Sequence, residues 1–328
     1  MLNGKTILVT GGTGSFGKMF IRTILKEYKP KKVIVYSRDE FKQWQMSEDM
    51  KEFSHILRFF IGDVRDEERL KRAFQGVDYV IHAAAMKQVP ACEYNPIEAV
   101  KTNITGAVNV INSALNAGVK KVVALSTDKS VNPVNLYGAT KMVSDKLFVA
   151  ANSYSGSDGT IFAVVRYGNV AGSRGSVIPF FKKKIAEGDS ILPITDYRMT
   201  RFWIDLHQGV DLVLKALEEA KGGEIFISKI PSFKITDLAK AMLPECEMPE
   251  VGIREGEKLH EVMVSKQDAP NTLEFESHYI IYPQIHWENQ DKYNRKDGKR
   301  VPDEFEYSSG TNTQWLSTEE LKERLNKM

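Results

Sequence analysis

The sequence predicts an α/β protein with a doubly wound parallel sheet and a smaller mixed α/β domain. Three observations lead to this fold class. Short apolar runs alternate with longer amphipathic stretches through the first half of the chain, as in a parallel sheet covered on both faces by helices. A glycine-rich segment separates the first apolar run from the first amphipathic stretch, where such sheets turn from strand to helix. The chain of 328 residues is long enough for about two domains.

The elements of the first half follow from these runs. Strands are predicted at residues 6–10, 33–36, 57–61, 79–82, 121–126 and 161–166. Helices are predicted at residues 18–29, 67–74, 103–117 and 137–152. Right-handed crossovers between consecutive parallel strands then give the doubly wound arrangement.

The pattern changes after Gly168, where loops become frequent. We expect residues 1–168 to form the first domain, with residues 201–228 returning to it. Residues 169–200 and 229–328 would form the smaller, substrate-binding domain over the carboxyl edge of the sheet, where ligands of open α/β sheets bind. This domain includes predicted helices at 235–242 and 318–326, an extended piece at 279–282 and a charged surface loop at 288–302.

Composition excludes several classes of function. The formal net charge is +2, so there is no basic field for nucleic acid. The two cysteines, Cys92 and Cys246, stand far apart, which excludes a disulfide scaffold and a thiolate zinc site and suits the cytoplasm. No metal-ligand spacing accompanies His82 or His260, so no metal is predicted. No apolar run reaches the ~18 residues of a membrane span, and no signal peptide precedes the first strand.

Residues 10–17 (TGGTGSFG) link the first strand to the first helix. Gly11, Gly14 and Gly17 are spaced by three residues, so the backbone can turn tightly and approach a pyrophosphate at the helix N-terminus. A glycine triplet alone is a weak signal, but the strand–turn–helix context makes it specific. We therefore expect a dinucleotide cofactor.

The end of the second strand selects that cofactor. NAD enzymes usually carry an acidic residue at this strand tip, but Ser37 and Arg38 stand there instead. A hydroxyl and a guanidinium suit the 2′-phosphate of NADP, although Asp39 follows directly and leaves NAD as the alternative. After the third strand, Asp63, followed by Val64, is a candidate contact of the adenine amino group. Asp63 could instead be the N-cap of the helix that follows.

Tyr137 and Lys141 form a YxxxK pair, and the i, i+4 spacing places both side chains on one helix face. An ammonium near the phenol is expected to lower the pKa of Tyr137 and so provide a base for a sugar hydroxyl. The fifth strand runs into Thr127, Asp128 and Lys129. A hydroxyl such as that of Thr127 suffices to orient a substrate. The added acid and amine suit elimination of water, in which one group removes a carbon-bound proton and the other protonates the leaving hydroxyl.

Several segments together resemble the extended short-chain dehydrogenase/reductase superfamily, which has a Rossmann fold. Within it they are similar to the inverting UDP-N-acetylglucosamine 4,6-dehydratases that open the pseudaminic acid pathway. The segments include TGGTGSFG, YSRDE, FFIGDVRD, STDKSVNPVNLYGATK, PITDYRMTRFW and EGEKLHEVM, and the resemblance covers essentially the whole chain. It implies a cytoplasmic, NADP-dependent hydro-lyase acting on UDP-N-acetylglucosamine, assembled as a homo-oligomer, either a dimer or a hexamer.

The resemblance also implies roles for individual residues. Tyr137 would remove the O4 proton, Lys129 with a depressed pKa would take the C5 proton, and Asp128 would protonate the departing C6 hydroxyl. Lys141 would contact the nicotinamide ribose. Further contacts are implied with the cofactor for Thr13, Ser15, Phe16, Lys42 and Ala84, and with the nucleotide sugar for Lys87, Asn169, Thr195, Arg254 and Glu257.

Three other functions stay open. A UDP-sugar 4-epimerase needs only the tyrosine–lysine pair, so Asp128 and Lys129 speak against it. A retaining 4,6-dehydratase would use the same residue types but keep the configuration at C5. A regulator that binds NADP without turnover would have no need of all four of these side chains.

Overall fold

The computed structural model describes residues 1–156, 159–172, 176–284 and 297–328. Its strands are β1 (Thr6–Thr10), β2 (Lys32–Ser37), β3 (Leu57–Ile61), β4 (Tyr79–His82), β5 (Lys121–Thr127), β6 (Ile161–Tyr167), β7 (Thr200–Phe202), β8 (Ile225–Ser228), β9 (Ser232–Lys234), β10 (Val262–Val264), β11 (Thr272–Glu274), β12 (His278–Ile281), β13 (Lys299–Arg300) and β14 (Tyr307–Ser308). Its helices are α1 (Ser15–Glu27), α2 (Glu40–Asp49), α3 (Glu67–Ala73), α4 (Val89–Tyr94), α5 (Pro96–Val100), α6 (Gly106–Ala117), α7 (Leu136–Ala150), α8 (Val177–Ala186), α9 (Leu206–Glu219), α10 (Ile235–Met242) and α11 (Thr318–Asn326).

A ten-stranded sheet forms the centre of the fold, in the order β13-β11-β12-β8-β6-β5-β4-β1-β2-β3. Strands β1 to β6 and β8 pair in parallel, and every residue of β1 is buried, as expected for a strand between two helical layers. The predicted fold class is confirmed. The order reverses between β1 and β4, and the crevice beyond the carboxyl ends of the strands at such a point is where these sheets bind ligands.

The far edge of this sheet differs from the predicted division of the chain. Strands β11, β12 and β13 pair antiparallel next to β8, although the sequence assigns residues 229–328 to the smaller domain. The pairing of β12 with β8 joins segments about 50 residues apart, which local hydrophobic patterning does not report. The predicted charged loop at 288–302 lies outside the described residues as far as residue 296, and its last part contains the exposed strand β13.

A second apolar cluster lies apart from the core of the large sheet. It is built by side chains of α8, α10 and α11, among them Phe181, Leu238 and Leu321, together with Trp203 and Phe233. The short β7–β9 pair adjoins it. Most of its residues fall in the segments assigned to the smaller domain, whereas Trp203 falls in residues 201–228, and the division into domains stays a prediction.

Candidate active site

A cleft of about 650 Å³ opens at the carboxyl ends of the parallel strands, a size typical of small-molecule sites. Every residue predicted to contact the cofactor lines it: Gly11, Thr13, Gly14, Ser15, Phe16, Gly17, Ser37, Arg38, Lys42, Asp63, Val64, Ala84, Tyr137 and Lys141. Thr127, Lys87 and Asn169 line it as well. The chain thus gathers residues from the ends of six strands, β1 to β6, into one crevice.

The glycine-rich turn makes room for an anion beside α1. Gly11 has a φ of +66°, and a Cβ there would lie 2.9 Å from the backbone of Ala83 and Ala84. A Cβ on Gly17 would lie 2.6 Å from Gly12, so only glycine lets α1 pack this close to the turn. Gly14 is the N-cap of α1 and provides no side-chain cap, which leaves N–H groups of the first helical turn for an anion. These features fit the pyrophosphate of a dinucleotide.

The tip of β2 presents a hydroxyl and a guanidinium to the cleft. The Arg38 side chain is 60% exposed, and its Nη1 lies 3.7 Å from Asp63 Oδ2. Asp39 also lines the cleft, and its carboxylate is engaged in α2, where it accepts from the Lys42 N–H at 2.9 Å and pairs with the Lys42 ammonium. Ser37 Oγ accepts a hydrogen bond of 3.0 Å from Gln43 Nε2, so its own hydroxyl hydrogen can donate to a ligand. The residues fit a 2′-phosphate, because the nearby carboxylate is engaged as a helix cap.

Asp63 does not cap a helix, so that interpretation of the sequence is wrong. The N-cap of α3 is Asp66, whose side chain accepts from the Arg69 N–H. The Asp63 carboxylate instead accepts hydrogen bonds from the backbone and guanidinium of Arg65 at 2.7–2.9 Å. It lines the cleft, and its contact with adenine stays a prediction.

Tyr137 and Lys141 lie on the buried face of α7, 9% and 3% exposed. Burial raises the pKa of Tyr137 to about 12, against the opposing effects of the Lys129 charge and of a hydrogen bond with Thr127. The expected lowering of the Tyr137 pKa is therefore wrong for this state of the protein, and Lys129 is the leading positive charge that acts on the phenol. Burial also lowers the pKa of Lys141, and Asp145 opposes that shift.

Close packing at the start of α7 brings Tyr137 next to Lys129. The Asn135 side chain caps the helix by accepting from the Gly138 N–H at 2.7 Å. A Cβ on Gly138 would lie 2.1 Å from the Lys129 carbonyl oxygen. Only glycine at this position lets the first turn of α7 rest on the backbone of the turn after β5.

Asp128 and Lys129 form an acid–amine pair in that turn, just outside the residues that line the cleft. Lys129 Nζ lies 3.1 Å from Asp128 Oδ1 and 3.2 Å from Asn169 Oδ1. Asp128 also accepts from the Thr127 hydroxyl at 2.9 Å. Because Thr127 and Asn169 line the cleft, the pair borders it at the side of Tyr137.

A second carboxylate, which the sequence analysis did not predict, lies beside this pair. Glu261 Oε1 lies 3.4 Å from Lys129 Nζ. Burial lowers the pKa of Lys129, but the carboxylates of Asp128 and Glu261 outweigh it and leave that pKa above its usual value, so the expected depression is wrong. Burial, and then the charge of Glu261, raise the pKa of Asp128. Glu261 stands in the segment EGEKLHEVM, but nothing in the sequence relates it to a turn 132 residues away.

The remaining predicted substrate contacts do not line the cleft. Arg254 and Glu257 lie in a loop that docks on the start of α7, where the Asn135 side chain donates to the Gly256 carbonyl oxygen at 2.7 Å. Lys258 of the same loop donates to the Val131 carbonyl oxygen. Thr195 is half-buried beside this loop, since the Val251 N–H bonds the Ile194 carbonyl oxygen at 2.8 Å.

The histidines have structural partners. His82 Nδ1 and His260 Nδ1 each lie 2.8 Å from a threonine hydroxyl, that of Thr10 and that of Thr200. Among the described residues, no group of three or more His, Cys, Asp and Glu side chains could hold a metal ion. The same described ranges contain no helix with the length and apolar character needed to cross a bilayer.

Comparison with known proteins places this architecture among nucleotide-sugar enzymes. Residues 7–283 match the family model described as polysaccharide biosynthesis protein. The chain is 58% identical to the inverting UDP-N-acetylglucosamine 4,6-dehydratase of Campylobacter jejuni, over 99% of this chain and 98% of that one. It is 42% identical to the UDP-glucose 4-epimerase of Rickettsia conorii, over 99% of this chain and 96% of that one.

Solved structures agree with the fold. Pen from Bacillus thuringiensis is 38% identical with a TM-score of 0.89, over 100% of this chain and 99% of that one. The dTDP-glucose 4,6-dehydratase DesIV from Streptomyces venezuelae, solved with NAD and TYD bound, is 26% identical with a TM-score of 0.68, over 77% of this chain and 86% of that one. The chain therefore belongs to the polysaccharide biosynthesis protein family, on a short-chain dehydrogenase/reductase-type Rossmann fold, together with the inverting UDP-N-acetylglucosamine 4,6-dehydratases.

Proposed function

We propose that this protein is an NADP-dependent hydro-lyase that converts UDP-N-acetylglucosamine to the UDP-linked 4-keto-6-deoxy sugar with inversion at C5. The observation that carries the proposal is the acid–amine pair of Asp128 and Lys129, joined at 3.1 Å and packed against the helix turn of Tyr137. An enzyme that only oxidises the sugar at C4 needs the pair of Tyr137 and Lys141 but not a second pair of an acid and an amine. The 58% identity to an enzyme of that name supports the substrate.

NADP is proposed over NAD from the tip of β2. Ser37 and Arg38 offer a hydrogen-bond donor and a charge for the 2′-phosphate, while Asp39 is engaged in capping α2. Thr13 to Phe16 would hold the pyrophosphate, and Lys42, Val64 and Ala84 would line the rest of the dinucleotide. When bound, NADP would supply the hydride chemistry, which is transient oxidation at C4 of the sugar and reduction at C6.

Tyr137 would take the O4 proton. Its pKa of about 12 must fall when substrate and cofactor bind, because only the tyrosinate is a base. Two groups favour tyrosinate in this site, the Lys129 charge and the Thr127 hydroxyl, and the Lys141 ammonium on the same helix face is proposed to add to them. Lys141 would also hold the nicotinamide ribose.

Lys129 would take the C5 proton, which the neighbouring C4 ketone makes acidic, and Asp128 would protonate the leaving C6 hydroxyl. Lys129 acts as a base only once it is neutral, so the amine must first pass a proton on. The carboxylate oxygens within reach of Nζ are Asp128 Oδ1 at 3.1 Å and Glu261 Oε1 at 3.4 Å. Each well-placed acid or base contributes roughly 10²- to 10⁴-fold in rate.

Lys87, Asn169, Thr195, Arg254 and Glu257 are proposed to bind the nucleotide sugar. The exposed Arg254 suits the diphosphate, since guanidinium groups bond phosphate oxygens in pairs. Its loop already docks beside Tyr137 through Asn135 and Gly256. The proposals of pseudaminic acid synthesis, a cytoplasmic location and a homo-oligomer, dimeric or hexameric, rest on the sequence resemblance.

The experiment is incubation with UDP-N-acetylglucosamine and NADP in D2O, followed by proton NMR of the product. We expect a 4-keto-6-deoxy sugar with deuterium at C5 and inverted configuration there. A C4 epimer that keeps its C6 hydroxyl would establish the epimerase alternative, which the 42% identity to a UDP-glucose 4-epimerase favours. Deuterium at C5 with unchanged configuration would identify a retaining dehydratase. Tight binding of NADP and sugar nucleotide without turnover would indicate a regulator.

A further inference from the structure

Glu261 occupies an unusual position for a residue outside the predicted site. It is 2% exposed, and its Oε1 faces two cations, with Lys129 Nζ at 3.4 Å and Arg201 Nε at 3.6 Å. Its Oε2 is buried without a hydrogen-bond partner. Burying a carboxylate in this way costs free energy unless nearby cations balance its charge.

The backbone holds Glu261 rigidly against the Lys129 ammonium. Its N–H donates to Ser309 Oγ at 2.9 Å, and its carbonyl oxygen accepts from the Ser309 N–H at 2.8 Å. Ser309 Oγ lies 2.8 Å from Thr200 Oγ1 next to Arg201. The backbone of Glu261 is therefore held by Ser309 in the segment after β14, and Ser309 is in turn bonded to Thr200 of β7.

Two carboxylates then surround one ammonium. If Glu261 were absent, Asp128 would be the neighbouring carboxylate that balances the Lys129 charge, and its pKa would fall, because the charge of Glu261 is the second cause, after burial, that raises it. An ionised Asp128 cannot protonate a leaving hydroxyl. The charged and titratable groups that face Glu261 are Lys129, Arg201 and Lys258, together with Asp128, and the three cations among them favour its ionised form.

We propose that Glu261 is a positioning residue that serves as the counter-ion of Lys129, so that Asp128 keeps the proton needed for elimination. The effect of Glu261 on catalysis rests on the proposed function. Whether Asp128 is protonated can be measured in the protein without substrate. It can therefore be tested separately from turnover.

The decisive experiment is a carbon-13 NMR titration of Asp128, labelled at Cγ and assigned by its loss in Asp128→Asn. In the unaltered protein we expect the Asp128 carboxyl to be protonated near pH 7, and in Glu261→Gln to be ionised at the same pH. Glu261→Asp, which keeps the charge, should restore the protonated signal at least in part. Glu224→Gln removes another carboxyl that is 2% exposed, but at the amino end of β8, and should leave the Asp128 signal unchanged.

Catalysis provides a second readout. Glu261→Gln should lower kcat for elimination by ~100-fold or more, the usual contribution of a general acid, with KM within about threefold and oxidation at C4 retained. An ionised Asp128 in the unaltered protein would overturn the proposal even if Glu261→Gln fails to fold. A protonated Asp128 in Glu261→Gln would overturn it as well. Neither result depends on which sugar the enzyme uses.

Discussion

Replacing Arg38 by alanine tests how the tip of β2 selects NADP. The Arg38 guanidinium is exposed and lines the cleft at this strand tip. A hydrogen bond to a charged group contributes about 1.5–3 kcal/mol. Its present partner, Asp63, lies 3.7 Å away, and such exposed pairs contribute about 0–1 kcal/mol.

The net loss for NADP is the difference between these two effects, about 1–2 kcal/mol. At 1.4 kcal/mol for each factor of ten, Kd for NADP should rise roughly 5- to 30-fold in Arg38→Ala. The charge of the Asp63 carboxylate stays paired in Arg38→Ala, because the Arg65 guanidinium still bonds it at 2.7 Å. Kd for NAD, which lacks the phosphate, should change less than about twofold.

Isothermal titration calorimetry with NADP and with NAD measures both constants. Arg69→Ala is the matched control. Arg69 lies in α3, donates to the Ile61 carbonyl oxygen at the end of β3 and does not line the cleft. Equal loss of affinity for the two cofactors, or no loss for NADP, would refute the reasoning and favour NAD as the cofactor.

Three further predictions concern the acid–amine pair, α7 and pH. Lys129→Ala should abolish elimination while Kd for NADP, measured by calorimetry, stays within about twofold; a comparable loss of cofactor affinity would contradict its role in chemistry. Gly138→Ala should destabilise the protein by about 1–3 kcal/mol in urea unfolding and lower kcat, because the added Cβ would lie 2.1 Å from the Lys129 carbonyl oxygen; Gly209→Ala, in α9, where an added Cβ would lie no closer than 3.9 Å to Phe16, is the matched control for a helical glycine without a clash. Burial lowers the pKa of His82 to about 3, so the folded protein binds this proton less readily than the unfolded chain. Stability should therefore fall as pH drops below about 6.5, by roughly 3 kcal/mol at pH 4, and His82→Gln should remove this part of the loss; an unchanged pH dependence would show that His82 is not the group.

Features that depend on neighbours in the chain could be predicted from the sequence. The glycine spacing of residues 11–17 specifies a turn and a helix start, and both are local. The i, i+4 spacing of Tyr137 and Lys141 places them on one helix face whatever surrounds that helix. The strand tip at Ser37 and Arg38 follows in the same way from the end of an apolar run.

Effects of the surroundings on these side chains could not be predicted in this way. The expected pKa shifts of Tyr137 and Lys129 have the wrong sign. Burial outweighs the effect of the Lys129 charge on the Tyr137 pKa, and the carboxylates of Asp128 and Glu261 outweigh the effect of burial on the Lys129 pKa. The Asp63 interpretation as a helix cap fails because Asp66, three residues further on, caps α3. Burial and long-range charge are properties of the packed chain.

The sequence by itself determined the doubly wound sheet, the glycine turn and the two candidate catalytic pairs, since each follows from local periodicity or from a spacing of a few residues. The tertiary structure alone decided that Glu261, 132 residues from Lys129, shares its ammonium, and that β12 extends the large sheet. The physical reason is range: helix and strand patterns act over a few residues, whereas electrostatic balance in a buried site depends on which distant segments the fold brings within about 4 Å.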